Sequence, residues 1–131
     1  MRLAKVITVD FDHTLRFENG KPNTQTIEQL RDEHPNNRII IVTARQWCIE
    51  SAQQIMEFGL EHDLYIDNII HTDLLPKGPF CKAVGSIRHF DDCQRELKSC
   101  QEYGIDTVDC FRADVWAEMY PDPTIFNNWR Y

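Results

Sequence analysis

No two cysteines in this chain stand close together: Cys48, Cys81, Cys93, Cys100 and Cys110 are odd in number, well separated and without a CxxC pair. A disulfide framework is excluded on that count, and the pattern reads as reduced thiols in a cytosolic protein. A zinc site assembled from close-set ligand pairs is equally absent, since the five histidines do not supply the partners. No stretch approaches the ~18 apolar residues of a membrane span. The apolar run in the first ten residues is too short for a signal peptide and ends in an aspartate. Repeats, low-complexity runs and linkers are missing as well. Positive charge is in deficit, with 14 Lys and Arg against 21 Asp and Glu and a net charge of −7. That balance argues against loose binding to nucleic acid or an anionic membrane, which needs a basic face. It leaves room for a local basic site that grips one phosphate. The expectation is a cytoplasmic protein with no membrane partner.

What is present is an ordinary globular composition, 42% hydrophobic and 27% charged over 131 residues. Such a length fits a single domain, 1–131, large enough to bury about two-thirds of its unfolded surface. The stretch from Val6 to Leu15 organises the rest. Four β-branched residues read as a strand buried on both faces, and the run stops at Asp10 and Asp12. Open α/β sheets place their ligand sites at this carboxyl edge. In extended backbone, residues two apart point the same way, roughly 6.5 to 7 Å from each other. Two carboxylates so spaced can hold a divalent cation and bracket a transferring group.

Asn19-Gly20 predicts a small β-hairpin flap after the first strand, because a type I′ turn needs positive φ at both central residues. Asn23 or Thr24 would then cap a helix with Ile27 and Leu30 on its apolar face, ending before His34-Pro35. Ile39 to Val42 is a second strand, stopping at Thr43-Ala44-Arg45. A helix follows with Ile49, Ala52, Ile55 and Met56 on one face and Gly59 as its stop. Ile69-Ile70 is a weak strand, and Pro76-Lys77-Gly78-Pro79 opens a short helix through Val84. Ser86 to Phe90 runs into Asp91-Asp92; Leu97 and Cys100 lie on a helix ending near Gly104; Ile105 to Phe111 is the last strand. Helices alternating with strands predict a three-layer, Rossmann-like parallel sheet with helices on both faces. The carboxyl ends of parallel strands share one edge, so Asp10/Asp12, Thr43 and Asp91/Asp92 converge there. The tail from Asp114 carries Trp116, Tyr120, Phe126, Trp129 and Tyr131, read as packing over the domain or as an interface or stacking surface.

These residues resemble the motifs of the haloacid dehalogenase superfamily of phosphohydrolases, in the branch with almost no cap domain. Asp10-Phe11-Asp12-His13-Thr14-Leu15 corresponds to the first motif, Ile41 to Arg45 to the second, and His89-Phe90-Asp91-Asp92 to the fourth. The motif lysine is Lys77 or Lys82, and Lys77 is preferred because it starts a helix at the sheet edge. The resemblance implies that Asp10 attacks phosphorus and forms an aspartyl-phosphate, while Asp12 serves as acid and then base. Thr43 and Lys77 would donate to the phosphate. Mg²⁺ would be held by the Asp10 carboxylate, the Asp12 carbonyl and the acidic pair, with Asp92 the preferred direct ligand and Asp91 orienting Lys77 instead. The dehalogenase and phosphate-pump branches lack the second aspartate, so its presence implies a phosphatase.

The intervals Leu15 to Val42 and Arg45 to Leu75 are consumed by the elements already described, which leaves no insertion for a cap. An open site suits a phosphate on a large substrate. Arg45 resembles an arginine at the same place in polynucleotide 3′-phosphatases, although a plain salt bridge is the alternative. The expected substrate is a nucleic-acid 3′ end or a nucleotide, with sugar or metabolite phosphates next, on a monomer or homodimer. His13 is expected to be exposed beside the site without a chemical role. Two other classes were weighed. A calcium loop starting at Asp10 fails because Leu15 stands where glycine is needed and Lys21 where an acid is needed. A phosphoacceptor or binding module without turnover fits less well, since receiver domains place their acidic pair before the phosphorylated aspartate.

Overall fold

The structure, a computed structural model, describes residues 4–130 except the side chains of Phe126 and Trp129. In chain order the elements are β1 (Val6–Val9), α1 (Thr24–Glu33), β2 (Arg38–Thr43), α2 (Ile49–Glu61), β3 (Asn68–His71), α3 (Gly78–Ala83), β4 (Ser86–Asp91), α4 (Gln94–Gln101), β5 (Asp106–Asp109), α5 (Ala113–Met119) and α6 (Pro123–Arg130). The strands pair in parallel in the order β3-β2-β1-β4-β5. The three strands that carry the motif residues are therefore the three inner ones.

Strand alternation divides the core into two layers. On one face Ile7, Val9, Ile39, Ile41 and Phe90 pack with Ile27 and Leu30 of α1 and Ile55 and Phe58 of α2. On the other, Val6, Ile40 and Val42 pack with Cys81 of α3 and Cys100 of α4. The predicted three-layer α/β architecture is thus the observed one. No helix among the described residues is long and apolar enough to cross a membrane.

Several local expectations are corrected. The Asn19-Gly20 flap is not a type I′ turn: Gly20 alone takes a positive φ (89°). The Gly20 N–H bonds to the Phe17 carbonyl and the Phe17 N–H to Lys21, both at 2.9 Å, so the loop closes as a three-residue hairpin loop with a glycine bulge. Its only ladder pairing to the far side is the single antiparallel bridge Arg16–Pro22. Asn23 is the residue before α1 but makes no side-chain cap. Gly59 lies inside α2 rather than ending it. A Cβ there would meet the Leu64 carbonyl and Ile66 at 2.8 Å, so glycine is needed for close packing. The reversal falls at Asp63 (φ 53°), with the Leu64 N–H bonded back to Gly59. The buried face of α2 is Ser51, Ile55, Phe58 and Gly59, which leaves Ile49 and Met56 exposed. The last strand is shorter than expected, and the tail forms α5 and α6. Trp116 is buried there, whereas the Phe126 and Trp129 side chains and Tyr131 lie outside the described residues.

Candidate functional site

Register and alternation build the site before any side-chain detail. Thr8 pairs with His89 and Val9 with Phe90, and the Asp10 N–H bonds to the Phe90 carbonyl at 2.8 Å. Asp10 and Asp91 therefore come next to each other, one step beyond Thr8 and His89 on the same face. That face is covered by α3 and α4. Gly78, at the start of α3, donates its N–H to Ser99 Oγ at 3.0 Å. A Cβ at Gly78 would lie 2.5 Å from the Ser99 carbonyl oxygen, so only glycine allows this approach. The close approach carries Lys77 down onto the strand ends.

Lys77 is 2% exposed, and its ammonium donates to Asp10 Oδ1 and Asp91 Oδ2, each at 2.8 Å. Burial alone would strip its proton, but the two carboxylates overcome this and hold it well above its ordinary value. Asp91 Oδ2 also accepts from His89 Nε2 at 2.8 Å, and its Oδ1 from the Cys93 N–H at 3.0 Å. Burial raises Asp91, yet Lys77 and His89 outweigh it and keep the carboxyl well below its usual range. For His89, burial lowers the imidazole while the Asp91 hydrogen bond outweighs that loss and pushes it up to about 9.

Asp10 goes the other way. Burial first, and the Asp91 charge second, raise it from 3.8 to about 6 despite Lys77. The Thr14 hydroxyl lies 2.9 Å from Asp10 Oδ2 and 3.2 Å from Asp92 Oδ1. A single hydroxyl thus sits between two carboxylates. Oxygen atoms of Asp10, Asp91 and Asp92 all lie within 4.8 Å of one another. A hard dication with oxygen ligands fits such a donor set.

Asp12 stands apart from this cluster. Arg45 grips it with two parallel bonds, Nε to Oδ2 at 2.8 Å and Nη2 to Oδ1 at 2.7 Å. Arg45 Nη1 is itself held by Gln54 (2.7 Å) and Ser51 (3.3 Å). Thr43 ends β2 fully buried, on the same face as Ile41 rather than on that of Asp10. Its hydroxyl accepts the Arg45 N–H at 3.3 Å and makes no hydrogen bond to the carboxylates or Lys77. Lys82 is exposed, so Lys77 is the lysine brought to the carboxylates.

His13 is buried, not exposed, and takes a positive φ of 63°. Its ring packs on Trp116 with centroids 4.4 Å apart, so the tail folds back over the first-motif loop. A cavity of about 780 Å³ is lined by Asp10, Asp12, Lys77, Asp91 and Asp92, joined by Arg95 and Lys98 of α4. A second, of about 580 Å³, is lined by Asp12, Arg45, His13, Trp116 and Tyr120. Asp12 lines both. Sequence reasoning had assigned no role to Thr14, His89, Arg95 or Lys98. For Thr14 the signal was its place four residues after Asp10, and for His89 its place two before Asp91.

None of the five cysteines is in a disulfide. Cys81, His89 and Cys100, distant in sequence, nevertheless bring ligand atoms within 4.8 Å of one another in the core. The fold thus brings together side chains that the sequence keeps far apart.

The raised Asp10 carboxyl has a sign that can be tested. Its folded value lies above its unfolded one, so without metal its contribution to stability is present below about pH 4 and lost as pH rises through about 6. Mg²⁺ is expected to raise the midpoint of thermal unfolding strongly at about pH 8, where Asp10 is ionised, and little at about pH 4.5. An equal shift at both pH values, read by differential scanning calorimetry, would contradict binding at Asp10.

No protein-family model matches the chain, and a search of curated proteins returned no match.

Proposed function

We propose that the protein is a Mg²⁺-dependent phosphomonoester hydrolase of the haloacid dehalogenase type, working through an aspartyl-phosphate on Asp10. The observation that supports this best is the buried Asp10–Lys77–Asp91 chain with Asp92 beside it, at the carboxyl edge of the inner strands. Asp10 Oδ attacks phosphorus, and the bond from phosphorus to the leaving oxygen breaks. Asp12 gives that oxygen a proton, then takes one from the water that hydrolyses the acyl phosphate. Lys77 would neutralise an equatorial phosphoryl oxygen. Asp10, Asp92 and the Asp12 carbonyl would hold the dication, and Asp91 fixes Lys77. When bound, Mg²⁺ supplies charge neutralisation for the phosphoryl oxygens.

Arg45 occupies Asp12 until substrate arrives. A phosphate offers the guanidinium an alternative bidentate partner, which frees Asp12 to face the leaving group. The released carboxylate takes up a proton from solvent or from the phosphate monoanion and passes it to the leaving oxygen.

For the substrate class, the second cavity favours a nucleic-acid 3′ end or nucleotide over a sugar phosphate. It holds the half-buried Tyr120 ring together with Asp12 and Arg45, and nucleobases stack on aromatic rings. Rates on a 3′-phosphorylated oligonucleotide, nucleoside monophosphates, sugar phosphates and a phosphopeptide, compared side by side, test the assignment. The oligonucleotide end is expected to give the highest kcat/KM. Parity with free nucleotides removes the nucleic-acid end as the substrate class, and preference for sugar phosphates removes nucleotides too.

A further inference from the structure

We propose that Cys81, Cys100 and His89 form a buried site for one thiophilic metal ion, zinc, directly beneath the carboxylate cluster. The three ligands come from α3, α4 and β4, and all three residues are 0% exposed. Cys81 Sγ lies 3.6 Å from His89 Nδ1 and 3.8 Å from Cys100 Sγ. With Zn–S near 2.3 Å and Zn–N near 2.0–2.1 Å, a tetrahedral centre separates two sulfurs by about 3.8 Å and a sulfur from a nitrogen by about 3.5 Å. These two edges match those of an assembled site, and the third pair of ligand atoms lies within 4.8 Å.

The surroundings point the same way. His89 gives its Nε2 proton to Asp91 at 2.8 Å, so on metal binding the Nδ1 proton leaves and that nitrogen coordinates. A carboxylate behind a ligating histidine is the usual way a protein fixes the tautomer and orients the ring. Two thiolates cancel the charge of one dication, so the closed cluster is neutral and can be buried without an unpaired ion. The Thr8 hydroxyl, hydrogen-bonded to His89 Nδ1 at 2.8 Å, would give up that contact when the ion binds.

This site stands independently of the phosphatase reading, but it bears on the same residues. The Cys81 N–H bonds to the Lys77 carbonyl at 3.0 Å, so the turn that carries the sulfur also carries the lysine. His89 reaches Asp91, and Asp91 reaches Lys77. Zinc would tie α3 and α4 to β4 and so hold the Lys77–Asp91 pair in place. It acts as a positioning ion.

The test is metal content by inductively coupled plasma mass spectrometry on the full chain, produced with added Zn²⁺ and freed of loose metal by gel filtration. One equivalent of zinc per chain is expected, retained in Asp10→Asn and lost in Cys81→Ser and in Cys100→Ser. Because either cysteine variant can fail to fold, Co²⁺ substitution of the unaltered protein serves as the second measurement. A thiolate-to-cobalt charge-transfer band with intense tetrahedral visible bands supports the site. Loss of the zinc in Asp10→Asn would move it to the carboxylates and overturn the proposal. So would a cobalt spectrum without thiolate bands, or stoichiometric copper instead of zinc. An intact mass lower by two hydrogens with a Cys81–Cys100 crosslinked peptide would replace the metal by a disulfide.

Discussion

Asp10→Asn is expected to lower Mg²⁺-dependent hydrolysis of an aryl phosphate by roughly 10⁴-fold or more, while leaving the protein folded. The size follows from chemistry: an amide oxygen does not form the acyl phosphate, so the whole covalent route closes. The intact fold follows from the environment. Burial already favours the neutral form of Asp10 and raises it to about 6. An uncharged isostere therefore fits the site, and Lys77 keeps Asp91 as its partner. The measurements are steady-state rates and circular dichroism on the same preparation. Hydrolysis that survives in Asp10→Asn, or persists undiminished with EDTA, removes the aspartyl-phosphate scheme. An unfolded Asp10→Asn would instead contradict the account of the burial.

Lys77→Met is expected to cost about 3–5 kcal/mol, the usual loss when one partner of a buried ion pair is removed. It strips the ammonium from between Asp10 and Asp91 and leaves two buried carboxylates facing each other. Urea unfolding without metal reads the full loss. Mg²⁺ should restore part of it, because a dication at the same oxygens supplies the missing positive charge. Lys82→Met is the control: its side chain is exposed, and such changes stay within about 0.5 kcal/mol. Equal costs for the two variants would mean that the Lys77 pairs add nothing beyond surface electrostatics.

Much of this was readable from residue order, for a physical reason. Strand ends, β-branched runs and the break at Pro76-Lys77-Gly78-Pro79 are local signals, and parallel strands bring their carboxyl ends to one edge whatever their order. Asp10, Asp91 and Lys77 therefore could be placed together without coordinates. The order β3-β2-β1-β4-β5 was not readable, since alternating helices and strands fix direction and handedness but not which strands become neighbours. His13 was misjudged because a polar residue in a strand-end loop is ordinarily solvated, and Trp116, about a hundred residues on, covers it. Gly59 looked like a helix stop, but its missing side chain serves the contact with Leu64 and Ile66. Thr43 was assigned by analogy of position; alternation along β2 sends it to the other face. The Cys81–His89–Cys100 group escaped notice because ligands spread over three elements leave no spacing signature.

Placing all the motif residues on inner strands also shapes how one copy of the chain meets another. The sheet borders are β3 and β5, each four residues long, and β5 begins with Asp106 and ends with Asp109. Arg88 and Arg130 draw those two aspartates into ion pairs at 2.9 and 2.5 Å. Short borders, one of them ended by aspartates, make poor templates for edge-to-edge strand addition. Any assembly of this protein should therefore grow through helix faces, leaving the sheet unextended and free of fibrillar stacking even at high concentration.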